Sequence, residues 1–227
     1  MANPLSTTDF LATVPLFASL DADELAKFGE LLLEQSYARG GVILVKGDPG
    51  DSLFIVRKGR VKVVLVADDG REVILGILGA GEYFGELSLL DEQPRSADVI
   101  AMDHAVLLVL RRDDFRRRVE ANASVAWSLL SELSRRLRRA DGQIGALVLL
   151  DVPARIARLL LDTADAGDGV VIEKLTHQTI ARVIGASRET VSRALGEFID
   201  AGWLASEKRR IQIVDREALL ARSRQRI

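Results

Sequence analysis

The sequence predicts an α+β chain: an N-terminal β jelly-roll or barrel-like sandwich, one long dimerisation helix, and a C-terminal winged helix-turn-helix. Three observations carry this. Between Val42 and Leu110, short apolar runs alternate with glycine-, aspartate- and proline-containing turns. Between Ser124 and Leu150 the apolar period lengthens to a heptad. Between Thr176 and Gly202, two capped helical stretches flank a glycine turn. The expected divisions are residues 1–123, 124–150 and 151–227.

At 227 residues the chain has room for one large or two small domains, and 48% hydrophobic residues suffice for a buried core. No apolar run approaches the roughly 18 residues needed to span a membrane, and no basic-then-apolar leader opens the chain, so a cytoplasmic location is expected. There are no cysteines, which excludes disulfides, thiol switches and cysteine-ligated iron–sulfur clusters. Net charge is −2. Residues 1–150 carry 18 Lys+Arg against 22 Asp+Glu, and residues 151–227 carry 13 against 11. That bias is too small for nucleic-acid binding to rest on bulk charge; it has to rest on a motif.

Leu16–Leu33 reads as a short helical lead-in, with Asp21 and Glu24 spaced as a capping box before Leu25, Phe28, Leu31 and Leu32. The period then changes to two, and Val42–Val45, Leu53–Val56, Val61–Val66, Glu72–Leu78 and Ala105–Leu110 read as strands. Arg112–Glu120 is a short charged helix. In Ser124–Leu150, Leu130, Leu133, Leu137, Ala140, Ile144 and Leu147 step by three and four, an a/d seam that asks for an identical partner. Arg135, Arg136, Arg138 and Arg139 fall mostly off that seam. Gly142 and Gly145 each weaken the helix by about 1 kcal/mol relative to alanine. Pro153 suits the first turn of the next helix. Trp127 and Trp203 are expected to be packing residues, and His104 and His177 lack a second ligand at metal spacing, so no metal is expected.

The stretch Gly81–Ala97, GEYFGELSLLDEQPRSA, reads as a socket for one small phosphate. Gly81 and Gly85 allow tight turns, and Gly85–Leu90 is short enough for a single helical turn whose first amides have no carbonyl one turn back. Arg95 offers a planar fork to phosphate oxygens. Glu86 would repel an anion, and makes sense as the acceptor for a sugar hydroxyl beside the phosphate. Phosphate plus sugar means a nucleotide.

Thr176 is placed to cap a helix through Val183, and Ser187 to cap a second one, Arg188–Ala201, closed by Gly202. Ile184-Gly185-Ala186-Ser187 is the turn, and Ile180, Ala181, Ile184, Val191 and Leu195 seal the crossing. This is a helix-turn-helix. Arg188, Glu189, Ser192 and Arg193 share one face of its second helix, with arginine suited to guanine and glutamate to cytosine N4. Trp203–Val214, with Lys208-Arg209-Arg210 between apolar strands, reads as a β-wing.

FGELSLL…PRSA resembles the phosphate-binding cassette of cyclic-nucleotide-binding domains, and SRETVSRAL resembles the recognition helix of the cyclic-AMP receptor protein family of bacterial transcription regulators. The resemblance runs from Leu16 to Ile213 and implies a jelly-roll that binds cyclic AMP, a parallel homodimer, and a palindromic double-stranded DNA operator with TGTGA-type half-sites. It implies ligand contacts at Gly85, Glu86, Leu87, Arg95 and Ser96. Base reading is implied at Arg188, Glu189 and Arg193, and phosphate contact at Thr176, Gln178, Ser187 and Thr190. Asp68-Asp69-Gly70 lies where relatives offer an acidic hairpin to RNA polymerase, and turn chemistry explains it equally well. The chain departs from the family where a threonine and a serine on the long helix meet adenine: the positions here are Ala140 and Asp141. Asp141 is a pure acceptor when ionised and suits either the adenine amine or the paired donors of guanine, so cyclic GMP stands as the second choice of ligand. The same fold also suits a regulator answering to a cyclic dinucleotide or to no ligand and, less well, a cyclic-nucleotide-gated regulatory subunit. No enzyme is implied.

Overall fold

The computed structural model describes residues 6–18, 20–165, 171–173, 175–207 and 210–225. The chain divides into two compact units, residues 1–136 and 137–227.

The first unit opens with α1 (Thr7–Ala12), capped by Ser6, a 3-10 turn at Pro15–Phe17, and α2 (Ala22–Gly29). The capping box forms: Asp21 accepts from Glu24 N at 2.8 Å and Glu24 accepts from Asp21 N at 3.2 Å. These helices bury Phe10, Leu11, Phe17, Leu25 and Phe28 against the sandwich. Eight strands follow: β1 (Leu33–Tyr37), β2 (Val42–Leu44), β3 (Ser52–Lys58), β4 (Val61–Val66), β5 (Glu72–Leu78), β6 (Tyr83–Phe84), β7 (Asp98–Ala101) and β8 (Ala105–Arg111). They pair antiparallel in two four-stranded sheets, ordered β1-β8-β3-β6 and β2-β7-β4-β5, which gives the jelly-roll. Strand β3 is buried from Ser52 to Val56, being enclosed by both β8 and the helices, so it reads as a continuous apolar run.

Three strands depart from the sequence reading. Leu33 does not end a helix: it starts β1, because helix α2 stops at Gly29 and the exposed run Leu33–Ser36 pairs with Leu107, Leu108 and Val109 of β8 and their neighbours. Strand β7 has only four residues, and β6 only two, too short for alternation to show. The turn helix α3 (Leu87–Leu90) sits between them.

Helix α4 (Arg112–Ala121) leads into α5 (Ala123–Leu149), 27 residues that run unbroken through Gly142 and Gly145. Its first turns pack on the first unit through Val125, Leu129 and Leu133. Trp127 is 72% exposed instead of packed, since it lies on the opposite side of the helix from those three. The second unit continues with α6 (Val152–Asp165), β9 (Val171–Glu173), α7 (His177–Ile184), α8 (Arg188–Asp200), β10 (Leu204–Glu207), β11 (Arg210–Ile213) and α9 (Arg216–Ser223). Asp151 caps α6 by accepting from Ala154 N at 2.8 Å, with Pro153 in the first turn, and Arg222 of α9 closes on the same carboxylate at 2.7 Å. Ile156, Leu160, Ile180, Val191, Leu195 and Leu219 are completely or almost completely buried at its centre. Trp203 packs there, its ring 5.3 Å from that of Phe198.

Candidate functional site

The socket is built from the end of β6. Phe84 pairs with Phe54 of β3, and their rings stack at 5.2 Å with 6° between planes. That delivers the chain to Gly85 at φ 85°, a conformation that L side chains rarely adopt. A Cβ at Gly85 would lie 2.8 Å from Arg95 Nη1 and 3.0 Å from the Ser52 carbonyl oxygen, so glycine is also required for space. Arg95 is tied by its backbone to Gly47 and Asp48: its amide donates to Asp48 O at 2.8 Å and its carbonyl accepts from Gly47 N at 2.9 Å.

The Arg95 side chain is buried at 4% exposure. Nη1 donates to Gly85 O and Nη2 to Ser52 O, both at 2.8 Å, and Asp51 is 3.9 Å away. Its Nε is buried without a partner. Burial pushes this guanidinium below its ordinary value; Asp51 opposes that and Arg112 reinforces it. Arg112 also donates to the carbonyls of Gly50 and Ser88, the second at 3.2 Å, which ties the loop to α3.

Glu86 is 2% exposed, and burial pushes its carboxyl up against the pull of Arg136. Oε1 accepts from Arg136 Nη1 at 2.9 Å, and Oε2 is buried without a partner. Arg136 comes from α5. It also donates to Tyr83 O at 2.6 Å and to Glu132 at 3.2 Å, with its guanidinium carbon 4.8 Å from the centre of the Tyr83 ring. A free acceptor on a buried carboxylate and a free donor on a buried guanidinium fit a ligand carrying a hydroxyl and an anionic oxygen, because unpaired buried polar atoms are costly.

Gly85, Glu86 and Arg95 are thus brought together, while Leu87 and Ser96 lie exposed at the rim. Ala140 and Asp141 are exposed on the part of α5 that belongs to the second unit. Arg136 is the residue that sequence reasoning missed. Its i,i+4 pairing with Glu132 was legible, but its reach to Glu86, 50 positions earlier, has no local signal. On the predicted seam Leu130, Leu137, Ile144 and Leu147 are 52–64% exposed, and Ala140 is exposed too. Leu133 departs: it is turned into the first unit's own core, while Trp127 and Val148 extend the outward line.

The second site lies on α7 and α8. Thr176 caps α7, accepting from Thr179 N at 3.1 Å, and Ser187 caps α8, accepting from Thr190 N at 3.1 Å. Between them Gly185 takes φ 65°, ψ 48°, the left-handed conformation that ends α7 and turns the chain. Gln178, Arg188, Glu189 and Arg193 are exposed, and Thr190 and Ser192 half-buried. Strands β10, β11 and β9 form the three-stranded wing sheet; Lys208 and Arg209 lie outside the described residues. Among the described residues, no helix is long and apolar enough to cross a membrane.

A sandwich with a buried arginine–glutamate socket, joined through a long helix to a helix-turn-helix, defines a ligand-responsive DNA-binding protein. Comparison with known proteins agrees. Residues 34–122 match the cyclic nucleotide-binding domain family, and residues 154–222 the Crp-like helix-turn-helix domain family. The chain is 35% identical over 222 residues to the CRP-like cAMP-activated global transcriptional regulator of Mycobacterium tuberculosis, covering 95% of this chain and 99% of that one. It is 36% identical to the cyclic AMP receptor protein of Thermus thermophilus over 83% of this chain and 87% of the other. The solved Thermus thermophilus catabolite activator protein has a TM-score of 0.54 at 32% identity, covering 92% of this chain and 98% of that one. The c-di-GMP-responsive regulator CLP of Xanthomonas campestris shares the fold, with a TM-score of 0.73 at 24% identity over 85% and 99% of the two chains. The chain belongs to the CRP family of cyclic-nucleotide-responsive transcription regulators, which are DNA-binding proteins and not enzymes.

Proposed function

We propose that the chain acts in the cytoplasm as a homodimer that binds cyclic AMP, docks on a two-fold-symmetric operator and engages RNA polymerase. The observation that carries the ligand reading is the pair of unpaired buried atoms, Glu86 Oε2 and Arg95 Nε. A ribose hydroxyl donates to the first, and the cyclic phosphate accepts from the second. The guanidinium has five N–H donors, enough for phosphate oxygens alongside the carbonyls of Gly85 and Ser52. Glu86 then meets the sugar with one oxygen and Arg136 with the other, so ligand occupancy acts directly on a residue of α5. The ligand favours the DNA-competent state to the extent that it binds that state better.

The partner for each α5 is a second copy of the chain, with Leu130, Leu137, Ile144 and Leu147 at the seam. Arg188, Glu189, Ser192 and Arg193 read bases, and Thr176, Gln178, Ser187 and Thr190 hold phosphates. A second reading, cyclic GMP as effector, is favoured by Asp141 beside Ala140: an acceptor stands where the family offers hydroxyls. Calorimetric titration of the full chain with cyclic AMP, cyclic GMP and cyclic di-GMP separates these readings. Tightest binding of cyclic AMP is expected; tightest binding of either other nucleotide reassigns the effector, and binding of none removes the ligand reading.

A further inference from the structure

His177 stands outside every role assigned above. It is the first residue of α7, exposed, directly after the Thr176 cap. Its Nδ1 lies 2.9 Å from Ser192 Oγ, a side chain one full turn into α8. Ile180 and Ile184 of α7 share one buried apolar cluster with Val191 and Leu195 of α8, and at the outer edge the two helices are also joined by this polar link. The same edge carries a depression lined by Leu175, Thr176, His177, Gln178, Arg188 and the wing residues Ser206 and Ile211.

The chemistry of the link matters for what Ser192 presents. A free serine hydroxyl rotates and offers one donor and two acceptor lone pairs, so it accepts any base edge. Such a side chain contributes little discrimination. Bonded to an imidazole nitrogen, the hydroxyl is held in one direction and one of its capacities is spent. If it donates to Nδ1, only acceptor lone pairs remain, which suit the amino groups of cytosine and adenine. If Nδ1–H donates to it, the hydroxyl proton stays available for guanine O6 or N7 or thymine O4. The first sense makes the contact selective for donors; in the second the hydroxyl keeps one donor and one acceptor capacity, and the gain is that it is held in one direction. A purely structural role is poorly served by this pair, since the buried apolar contacts already hold α7 on α8.

The geometry points to His177 as a positioning residue for DNA recognition, which acts by fixing Ser192 and so setting base preference at a single base pair of each half-site. This rests on the proposal that α8 reads bases. It differs from the phosphate and base contacts expected at Thr176, Gln178, Arg188, Glu189 and Arg193, because His177 selects through another side chain.

The test is selection from a randomised duplex DNA library by the full-length protein with saturating cyclic AMP, comparing parent, Ser192→Ala, His177→Ala, His177→Gln and the Ser192→Ala/His177→Ala double variant. A two-fold motif from the parent establishes base reading; recovery of no motif sinks that reading, and with it this one. Given a motif, Ser192→Ala and His177→Ala should lower preference at the same base pair, each by roughly two- to ten-fold, the range one neutral hydrogen bond supplies. The double variant should lose no more than either single one, and His177→Gln, which can still bond Ser192, should retain most of the preference. A His177→Ala motif identical to the parent's, or altered at a different base pair from that of Ser192→Ala, overturns the inference while leaving base reading intact. Equal loss in His177→Gln and His177→Ala also overturns it.

Discussion

At the scale of the residue, the socket turns on three positions. Arg95→Leu should nearly abolish nucleotide binding in a folded protein, because charge-assisted hydrogen bonds contribute about 1.5–3 kcal/mol each; calorimetry on the folded variant checks it. Gly85→Ala should do the same for a different reason. It places a methyl group against Arg95 Nη1 and demands a strained backbone at φ 85°, at a cost of ~1–3 kcal/mol, readable as a lower unfolding temperature alongside lost binding. Glu86 gives a pH dependence with a definite sign. Its folded-state carboxyl is raised by burial, so it takes up a proton at higher pH than the same group in the unfolded chain. Ionised Glu86 is therefore a net cost to the ligand-free fold above its raised folded value, a cost that fades as pH falls through that value. Nucleotide affinity should weaken over that same descent, starting above the ordinary carboxylate range, and Glu86→Gln should flatten the profile. Titrations across pH on both proteins decide it. Glu86 and Arg95 were legible in the sequence because their chemistry is odd in company: a carboxylate in an anion site, an arginine ten residues past a glycine. The Arg136 contact was not, since a long side chain bridging 50 positions is set by tertiary packing alone.

At the scale of the element, helix α5 divides its apolar residues between two duties. Leu129 and Leu133 face the first unit's core, and Leu130, Leu137 and Ile144 face outward. The heptad was readable, but a heptad does not say which neighbour takes which column, and Leu133, half-buried, packs against the first unit's core. Leu137→Asp or Ile144→Asp should shift the protein to monomer in sedimentation velocity, since each removes an exposed leucine or isoleucine whose burial is worth ~1.5–3 kcal/mol. A dimer of unchanged stability in both would assign the seam elsewhere. The capping residues Asp21, Thr176 and Ser187 were all found from sequence, because a cap is a local hydrogen bond between neighbours three apart. Strands β1, β6 and β7 escaped for the converse reason: each is defined by its partner strand, and its residue types (LEQSY, YF and DVIA) do not alternate apolar with polar.

At the scale of the whole molecule, a parallel dimer bearing two α8 helices should protect inverted half-sites about 34 Å apart, one turn of DNA, and footprinting with a single asymmetric site would refute it. Base choice belongs at this scale too, since Asp141 lies outside the unit that holds Glu86 and Arg95. Asp141→Ala should weaken the preferred nucleotide and compress the ratio of cyclic AMP to cyclic GMP affinity. Both affinities unchanged would leave Asp141 a solvated charge. Arg136, finally, is the last residue of the first compact unit, and Leu137 the first of the second. The guanidinium that Glu86 holds therefore hangs from the peptide at which one unit gives way to the next along the chain, and it answers to Glu132 as well. Glu86 and Tyr83 of the sandwich bear on Arg136 directly, and the sharing of one cation between two carboxylates is the quantity that a ligand at Glu86 would alter. Its response would be graded by the strength of an ion pair and tuned by ionic strength, unlike a device that relies on repacking a core.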